Sequence, residues 1–338
     1  MTEPAPSFST LKIISDVYYG CWPNKPKYLP DDYPDLTGKT ALVTGSNQGI
    51  GYKAICLLFS KNCNIIAVVR TTSNGEKARD QILKDFPLSK GKISVIGGND
   101  YNDLATIKPV AHQIKTVLGN DPLNIIIHNA GIMPNENKGT TVQGHEDIFQ
   151  VNTMAPQLLQ SYLDPLFLKK DDSLKRVVWV SSAGHLFAFP KYGINWENPS
   201  FKGIPIDERP FVSQSYGQSK AGNILQAKAW ATTNKQAVDE IGCVSVSCYP
   251  GNFGTNIQKD WPWLLRNAIK LACTDTIYGA YTELYSALSP ELTTSSQGAY
   301  ILPFGEVGLP REDIQAALQN GTDLKFWELV DSLIENYK

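Results

Sequence analysis

Short runs of apolar residues alternate along this chain with segments in which apolar residues recur at helical spacing. The apolar runs lie over 40–44, 64–70, 92–97, 123–128, 176–181 and 243–249. Nearly continuous runs of this kind are typical of parallel strands that are buried on both faces. Helices are predicted between them, beginning with 49–60 and 75–85. The regular alternation predicts an α/β protein with a doubly wound parallel sheet.

The first 36 residues break this alternation, because they are irregular and rich in Pro, Tyr and Asp. We interpret residues 1–36 as an N-terminal arm on the domain surface, with one short helix over 8–19. No linker rich in Pro, Gly or Ser divides the remainder, so 37–338 is interpreted as one domain. Its end, 311–337, is predicted to form a C-terminal extension of two helices that are interrupted near Asn320-Gly321.

The composition and charge of the chain argue against several classes of function. The chain of 338 residues has a formal net charge of -2, which argues against nucleic-acid binding. Its apolar runs are much shorter than the ~20 residues of a membrane-spanning helix, and its beginning lacks the pattern of a secretion signal. We therefore expect a cytoplasmic protein with reduced cysteines. The four histidines show no paired ligand spacing, so no metal site is predicted.

A glycine-rich turn between the first predicted strand and the first predicted helix is a candidate binding site. It reads Thr44-Gly45-Ser46-Asn47-Gln48-Gly49-Ile50-Gly51. Glycines permit a tight turn and close approach of the backbone to a pyrophosphate, and a helix N-terminus attracts that anion. This position favours a dinucleotide site, as in the Rossmann fold, over a simple turn. The predicted cofactor-binding residues here are Gly45, Asn47, Gln48, Gly49, Ile50 and Gly51.

The end of the second predicted strand indicates which dinucleotide binds. A carboxylate about 20 residues after the glycine turn would bind the ribose 2′-hydroxyl of NAD. This chain has Arg70 there, and a guanidinium suits the 2′-phosphate of NADP(H). The alternative is that Arg70 only ends the strand in solvent. After the third strand, Asp100 is a candidate acceptor from the adenine amino group, or merely a helix cap.

Further polar residues with useful chemistry follow the later strands. They are Asn129-Ala130-Gly131, Asn152, Ser181-Ser182, Tyr216 with Lys220, and the run Pro250-Gly251-Asn252-Phe253-Gly254-Thr255. The carboxyl ends of parallel strands meet at one edge of a sheet, where ligands bind in open α/β folds. We therefore expect these residues to lie together around one site.

Tyr216 and Lys220 are four residues apart, so they share one face of a helix. A cation beside a phenol lowers its pKa from about 10, which would make Tyr216 a general acid and base near neutral pH. Ser182 would hydrogen-bond the oxygen of a substrate carbonyl. Structural alternatives stay open: Tyr216 as a buried aromatic residue, Ser182 as the cap of a turn and Asn152 as an ordinary helix residue.

Together these motifs resemble those of the short-chain dehydrogenase/reductase family. They occur in the family's order as T-G-x-x-x-G-I-G, N-A-G, a mid-helix Asn, S-S, Y-x-x-x-K and P-G-x-x-x-T. The wider pattern is similar to fungal light-induced alcohol dehydrogenase-like and retinol-dehydrogenase-like reductases. The resemblance implies a catalytic tetrad of Asn152, Ser182, Tyr216 and Lys220, in which Lys220 also binds the nicotinamide ribose.

The same resemblance implies further roles. Asn152 would hold a water that links Lys220 to solvent, and 256–280 would form a mobile substrate lid. Cofactor contacts are implied for Asn129, Ala130, Gly131, Pro250, Gly251 and Thr255. The last three of these would orient the nicotinamide so that one face meets the substrate.

The predicted function is hydride transfer between NADP(H) and a carbonyl or alcohol substrate. Two segments, 184–215 and 261–272, are rich in apolar and aromatic residues, which favours an apolar substrate, although core packing explains many of the same residues. Tryptophans beside Arg266 and Lys270 also suit a contact with a protein or a membrane surface. A non-catalytic NADP(H)-binding regulator, a peripheral membrane reductase acting on lipids or retinoids, and a homo-oligomer all stay open.

Overall fold

One sheet, with seven parallel strands and an antiparallel edge strand, forms the centre of the computed structural model, which describes residues 5–136, 139–251 and 275–338. Its strands are β1 Thr40–Thr44, β2 Asn64–Val68, β3 Ile93–Ile96, β4 Ile125–His128, β5 Arg176–Val180, β6 Val244–Cys248, β7 Tyr300–Leu302 and β8 Glu306–Gly308. Their spatial order is β3-β2-β1-β4-β5-β6-β7-β8. The strand order reverses between β1 and β4, and a ligand crevice forms at such a reversal in open α/β sheets. The predicted doubly wound α/β fold is confirmed.

Helices cover both faces of this sheet. In the described ranges they are α1 Thr10–Cys21, α2 Gly49–Ser60, α3 Thr72–Asp85, α4 Ile107–Leu118, α5 Asp147–Phe149, α6 Ala155–Phe167, α7 Val212–Thr233, α8 Lys235–Ile241, α9 Thr276–Leu288, α10 Glu312–Asn320 and α11 Thr322–Ile334. A π-helical turn, Gln150–Met154, joins α5 to α6. All five residues of β1 are buried, and alternate side chains enter two separate hydrophobic clusters. The apolar runs in the sequence arise from this burial on both faces.

The predicted helices at the two ends of the chain are present. The arm helix α1 runs over Thr10–Cys21, close to the predicted 8–19. Helices α10 and α11 are separated by Gly321, which has a φ of +80°. Glycine adopts this left-handed conformation without steric cost, so the chain ends one helix there and begins the next.

The structure differs from the sequence prediction at element boundaries and at one edge of the sheet. Strand β2 ends at Val68, so Arg70 follows the strand, and α3 begins at Thr72 rather than at residue 75. Strands β7 and β8 were not predicted. Each has three residues, too few to show a periodic pattern in the sequence.

Much of the predicted substrate lid, including the tryptophan-rich segment 261–272, lies outside the described residues, and so does the predicted cofactor residue Thr255. Thr276 to Gly279, at the end of the predicted lid, form the first turn of α9. Among the described helices, none combines the length and the apolar character that crossing a membrane requires.

Candidate active site

The glycine-rich turn connects β1 to α2 at the carboxyl edge of the sheet. Gly45 and Gly49 have φ values of +67° and +62°, a left-handed conformation that disfavours other residues. A Cβ at Gly51 would overlap the side-chain amide of Asn129, so this glycine lets α2 pack closely against the end of β4. The first N–H groups of α2 have no partner within the helix and are oriented toward the turn. This arrangement suits a pyrophosphate.

A cleft of about 600 Å³ extends from this turn across the ends of the strands. Ten of the predicted cofactor residues line it: Gly45, Asn47, Gln48, Gly49, Ile50, Arg70, Asp100, Asn129, Ala130 and Gly131. Gly51 in α2 is not among the lining residues, and neither are Pro250 and Gly251, which follow β6 at the same edge of the sheet. Thr255 lies outside the described residues. The structure therefore brings together most of the residues that the sequence analysis assigned to the dinucleotide.

The end of the cleft beyond β2 carries one cation and one carboxylate among its described lining residues. Arg70 is exposed, and its guanidinium has no hydrogen bond or ion pair within the described ranges. Asp100 accepts from the Asn102 backbone N–H at 3.1 Å, so it caps a turn and lines the cleft at once. Thr71 and Asn74, at the start of α3, also line this end and were not singled out from the sequence.

Asn129 holds the end of β4 against the glycine turn. Its amide nitrogen donates to Thr44 O at 2.8 Å and to Gly45 O at 3.3 Å. The backbone N–H of Ala130 donates to the Thr44 hydroxyl at 3.0 Å. The N-A-G motif thus fixes the shape of the turn in addition to lining the cleft.

The two serines after β5 have different environments. The Ser181 hydroxyl is buried and donates to Lys220 O at 2.7 Å, which ties β5 to α7. The Ser182 hydroxyl accepts from Gly184 N at 3.1 Å and hydrogen-bonds Tyr216. Ser182 is therefore the serine that faces the tyrosine, while Ser181 is occupied with the helix.

Tyr216 and Lys220 lie on one face of α7, as their spacing requires. The Lys220 ammonium is 5.7 Å from the centroid of the Tyr216 ring. It donates to Val180 O at 2.8 Å and to Asn223 Oδ1 at 3.3 Å. Burial lowers the pKa of Lys220 to about 8.

The electrostatics of Tyr216 differ from the expectation that Lys220 lowers its pKa. Burial raises the pKa of Tyr216, and the hydrogen bond with Ser182 opposes that rise. The physical reason is that the lysine is directed at the end of β5 rather than at the phenol oxygen. Ser182 is thus the neighbour that stabilises the phenolate.

Asn152 lies in the π-helical turn before α6 and is 1% exposed. Its side chain accepts from Ile132 N at 2.8 Å and donates to Ile132 O at 2.9 Å and Ser219 Oγ at 3.0 Å. It therefore connects the loop after β4 to α7. π-Helical turns occur frequently at functional sites.

Asn223 links Asn152 to Lys220 and was not predicted as a site residue. Its amide nitrogen donates to Asn152 O at 2.8 Å, and its amide oxygen accepts from Lys220 Nζ at 3.3 Å. Asn223 thus connects the two residues directly, and the water that Asn152 is expected to hold between Lys220 and solvent stays a prediction. The position of Asn223 three residues after Lys220, on the same helix face, is the signal that could have identified it.

A buried carboxyl group, Glu283 on α9, lies near this lysine. It is fully buried, and neither of its oxygens has a hydrogen-bond partner among the residues that the structure describes. Burial raises the pKa of Glu283 to about 8, and the charge of Lys220 opposes that rise. Cys248 on β6 is the other ionisable neighbour whose charge interacts with both groups.

The segment that follows Ser182 is held by a residue from the far end of the chain. The buried Arg311 guanidinium donates to Leu186 O at 3.2 Å and Ala188 O at 2.9 Å, and to Phe189 O. It also forms a buried ion pair with Asp313 at 2.7 Å. The ion pair neutralises the guanidinium, and the carbonyl groups use its remaining donors.

His185 joins this network to Ser182. Its Nε2 accepts from the Arg311 backbone N–H at 3.2 Å, so its proton lies on Nδ1, which donates to Ser182 O at 2.8 Å. Burial lowers the pKa of His185 to about 4, which keeps the ring neutral. Within the apolar segment 184–215, which the sequence analysis assigned to the substrate, His185 and Tyr192 are buried and Phe187 is exposed.

Metal and disulfide chemistry find no support in the described ranges. No group of three or more His, Cys, Asp or Glu residues could hold a metal ion there. Cys56, Cys63, Cys243 and Cys248 are free and buried, and burial raises the pKa of each thiol.

Comparison with known proteins identifies the family. The family model described as short chain dehydrogenase matches residues 39–193. A short-chain dehydrogenase/reductase named bet4, from Neocamarosporium betae, is 30% identical over 96% of this chain and 94% of that protein. Another named sthC, from Phaeosphaeria nodorum, is 32% identical over 82% of this chain and 88% of that protein. This chain belongs to the short-chain dehydrogenase/reductase family, whose members are oxidoreductases that use a nicotinamide cofactor on small molecules.

Solved structures show the same fold. An uncharacterised protein from Mycobacterium paratuberculosis aligns with a TM-score of 0.64 and 24% identity, over 90% of this chain and 97% of that one. A short-chain dehydrogenase from Shigella flexneri 2a, described as complexed with NADP, aligns with a TM-score of 0.56 and 18% identity, over 79% and 98%.

Proposed function

We propose that this chain is an NADP(H)-dependent oxidoreductase that transfers a hydride between nicotinamide and an apolar carbonyl or alcohol substrate. The observation that carries the proposal is that Ser182, Tyr216 and Lys220 lie together beside the dinucleotide cleft. A Cβ at Gly131, which lines the cleft, would be 3.5 Å from the Lys220 ammonium. The Asn152–Asn223 link to Lys220 supports it, because it supplies the fourth member of a tetrad. We further propose that 37–338 act as one reductase domain preceded by the 1–36 arm.

The residues of the cleft fit an NADP(H) molecule. The left-handed glycines and the start of α2 would hold the pyrophosphate, and Arg70 would pair with the 2′-phosphate. Asp100 and the N-A-G segment would border the adenosine and the nicotinamide ribose. The NADP described in the Shigella flexneri relative is consistent with this choice.

The chemistry of the chain's own residues is proton transfer and positioning. The cofactor supplies or accepts the hydride when it is bound. In reduction, the Tyr216 hydroxyl would donate its proton to the carbonyl oxygen, which Ser182 would hold by a hydrogen bond. Lys220 would bind the nicotinamide ribose, and Ser182 would stabilise the tyrosinate that remains. Oxidation of the alcohol would reverse each of these steps.

The test is a direct assay of cofactor oxidation. Purified protein is mixed with NADPH or NADH and a panel of ketones, aldehydes and quinones, and the loss of reduced-cofactor absorbance is followed. We expect turnover with NADPH and at least one apolar carbonyl. Tight NADPH binding without turnover on any carbonyl would instead identify a non-catalytic regulator, and a preference for NADH would remove the role given to Arg70.

A further inference from the structure

The arm helix α1 has two different faces. Four large apolar residues form an exposed stripe along one face: Leu11, Ile14, Tyr18 and Trp22. The opposite face is attached to the catalytic domain at two points. Tyr19 donates to Glu306 Oε2 at 2.7 Å, and Gly20 lies so close to the Tyr249 hydroxyl that a Cβ at position 20 would overlap it. The arm is therefore packed against the edge of the sheet next to the segment that follows β6.

A cavity of about 320 Å³ lies between α1 and this edge of the sheet. From α1 it is lined by Ser15, Asp16 and Tyr19, and from the opposite side by Ala183, Tyr249 and Tyr300. Its size is in the range of small-molecule pockets, and its wall is largely aromatic and aliphatic. The Lys12–Asp16 ion pair, with its atoms 2.7 Å apart, supplies polar groups on the arm side.

This cavity is next to Ser182 and Tyr216. Ala183 directly follows Ser182, and a Cβ at Gly184 would lie 2.7 Å from the Tyr216 ring, so one short segment borders both the cavity and the tyrosine. Burial raises the pKa of Tyr300, and the charges of Asp16 and Tyr216 add to that rise. Tyr300, which lines the cavity, therefore interacts electrostatically with both Asp16 on the arm and Tyr216.

We propose that α1 forms one wall of the substrate-binding site, and that this cavity holds the part of a carbonyl substrate distal to its reacting oxygen. The ligand class that fits is an aromatic or aliphatic body with a hydroxyl or other hydrogen-bonding group at its far end, near Asp16. This inference rests on the proposed function, because it assigns a substrate subsite to the same catalytic centre.

The experiment fills the cavity from the arm and leaves the catalytic residues unchanged. Ser15→Trp places an indole at the cavity wall, and Leu11→Trp places the same side chain on the exposed face of the same helix. Both variants and the wild-type enzyme are assayed with NADPH and two aldehydes that share a reacting group, benzaldehyde and 4-benzyloxybenzaldehyde. The dissociation constant for NADPH and the thermal unfolding midpoint are measured in parallel.

We expect Ser15→Trp to raise KM for 4-benzyloxybenzaldehyde by about tenfold or more, as steric misfits in apolar pockets commonly do. KM for benzaldehyde, the NADPH dissociation constant and the unfolding midpoint should match those of wild type, and Leu11→Trp should change none of them. Equal effects on the two aldehydes, or no effect on either, would overturn the role of α1 while leaving the proposed function intact. If the wild-type enzyme reduces no carbonyl in the panel, the proposed function fails and this inference fails with it.

Discussion

The two halves of the candidate site are built in different ways. The cofactor cleft is formed by turns that directly follow β1, β2, β3 and β4, and each turn is specified by a few adjacent residues. The proposed substrate side, around the segment after Ser182, is held by residues that are remote in sequence. Arg311 contacts Ala188 across 123 positions, and Tyr19 contacts Glu306 across 287.

This difference indicates which half of the site can change in sequence while the proposed hydride-transfer chemistry is retained. A turn that cradles a pyrophosphate depends on backbone conformation, which local glycines determine. A substrate wall assembled from an arm and a C-terminal extension can change without disturbing the glycine turn or the Tyr216–Lys220 pair. Specificity is therefore expected to reside in the terminal segments, and cofactor use in the strand–helix turns.

The strongest test of the shared catalytic centre is Tyr216→Phe. Loss of the only hydroxyl proposed to donate the proton should lower kcat by about 10²- to 10⁴-fold, the usual contribution of a general acid. The dissociation constant for NADPH should stay unchanged, because the cleft is built elsewhere. Steady-state kinetics and cofactor titration measure both quantities, with Tyr18→Phe on the exposed face of α1 as the matched control. Full activity of Tyr216→Phe would eliminate the proposed mechanism.

The next effect concerns the long-range network. Arg311→Met leaves Asp313 buried without its cation and leaves the carbonyl groups of the 186–189 segment without donors. Breaking a buried pair by removing one partner costs about 3–5 kcal/mol in the free energy of unfolding. Denaturant unfolding measures it, and adding Asp313→Asn should recover part of the loss because the unpaired charge is then removed.

A separate readout distinguishes a positioning role for Arg311 from general stability. At a temperature where Arg311→Met is fully folded, KM should rise more for 4-benzyloxybenzaldehyde, which reaches the cavity between α1 and the sheet, than for benzaldehyde. An unfolding free energy equal to that of wild type would show that the network does not hold the segment.

The same contrast explains which features the sequence could predict. Gly45, Tyr216 and Lys220 belong to motifs whose spacing encodes their geometry, so their positions followed from the sequence. Arg311 lies in a stretch that predicts only the start of a helix, and nothing local indicates that it contacts Leu186. Asn223 could have been found by helical spacing, whereas Glu283 could not, because its neighbours Lys220 and Cys248 belong to other elements.

Glu283 is buried on α9 near Lys220, and its ionisation should affect stability. Its folded pKa is raised to about 8 by burial, from an ordinary value of 4.5. Between these values the folded state retains a proton that the unfolded state has lost, so this group's contribution to stability falls as pH rises from about 5 to about 8. Glu283→Gln mimics the neutral carboxyl group and removes that dependence.

Thermal unfolding of Glu283→Gln and wild type should therefore agree near pH 5 and diverge as pH rises to 7.5, with the variant more stable. The difference should be on the order of a few kcal/mol, since one pKa unit corresponds to about 1.4 kcal/mol. Glu146 and Asp164, whose pKa values burial also raises, are common to both proteins and cancel in the difference. Glu328→Gln, at an exposed position, is the control. If the stability of Glu283→Gln changed with pH in parallel with that of wild type, Glu283 could not be a buried neutral carboxyl group.

The smallest expected effect tests the cofactor half alone. Arg70→Ala removes the one cation among the described residues of the cleft, so NADPH should bind about 10- to 100-fold more weakly while NADH binding stays nearly constant. This range corresponds to the 1.5–3 kcal/mol of a hydrogen bond to a charged group. Arg79→Ala, in α3 and paired with Asp80, is the matched control. Because the substrate wall is built from other elements, KM for the carbonyl at saturating cofactor should not change, and a large change there would show that the two halves are coupled.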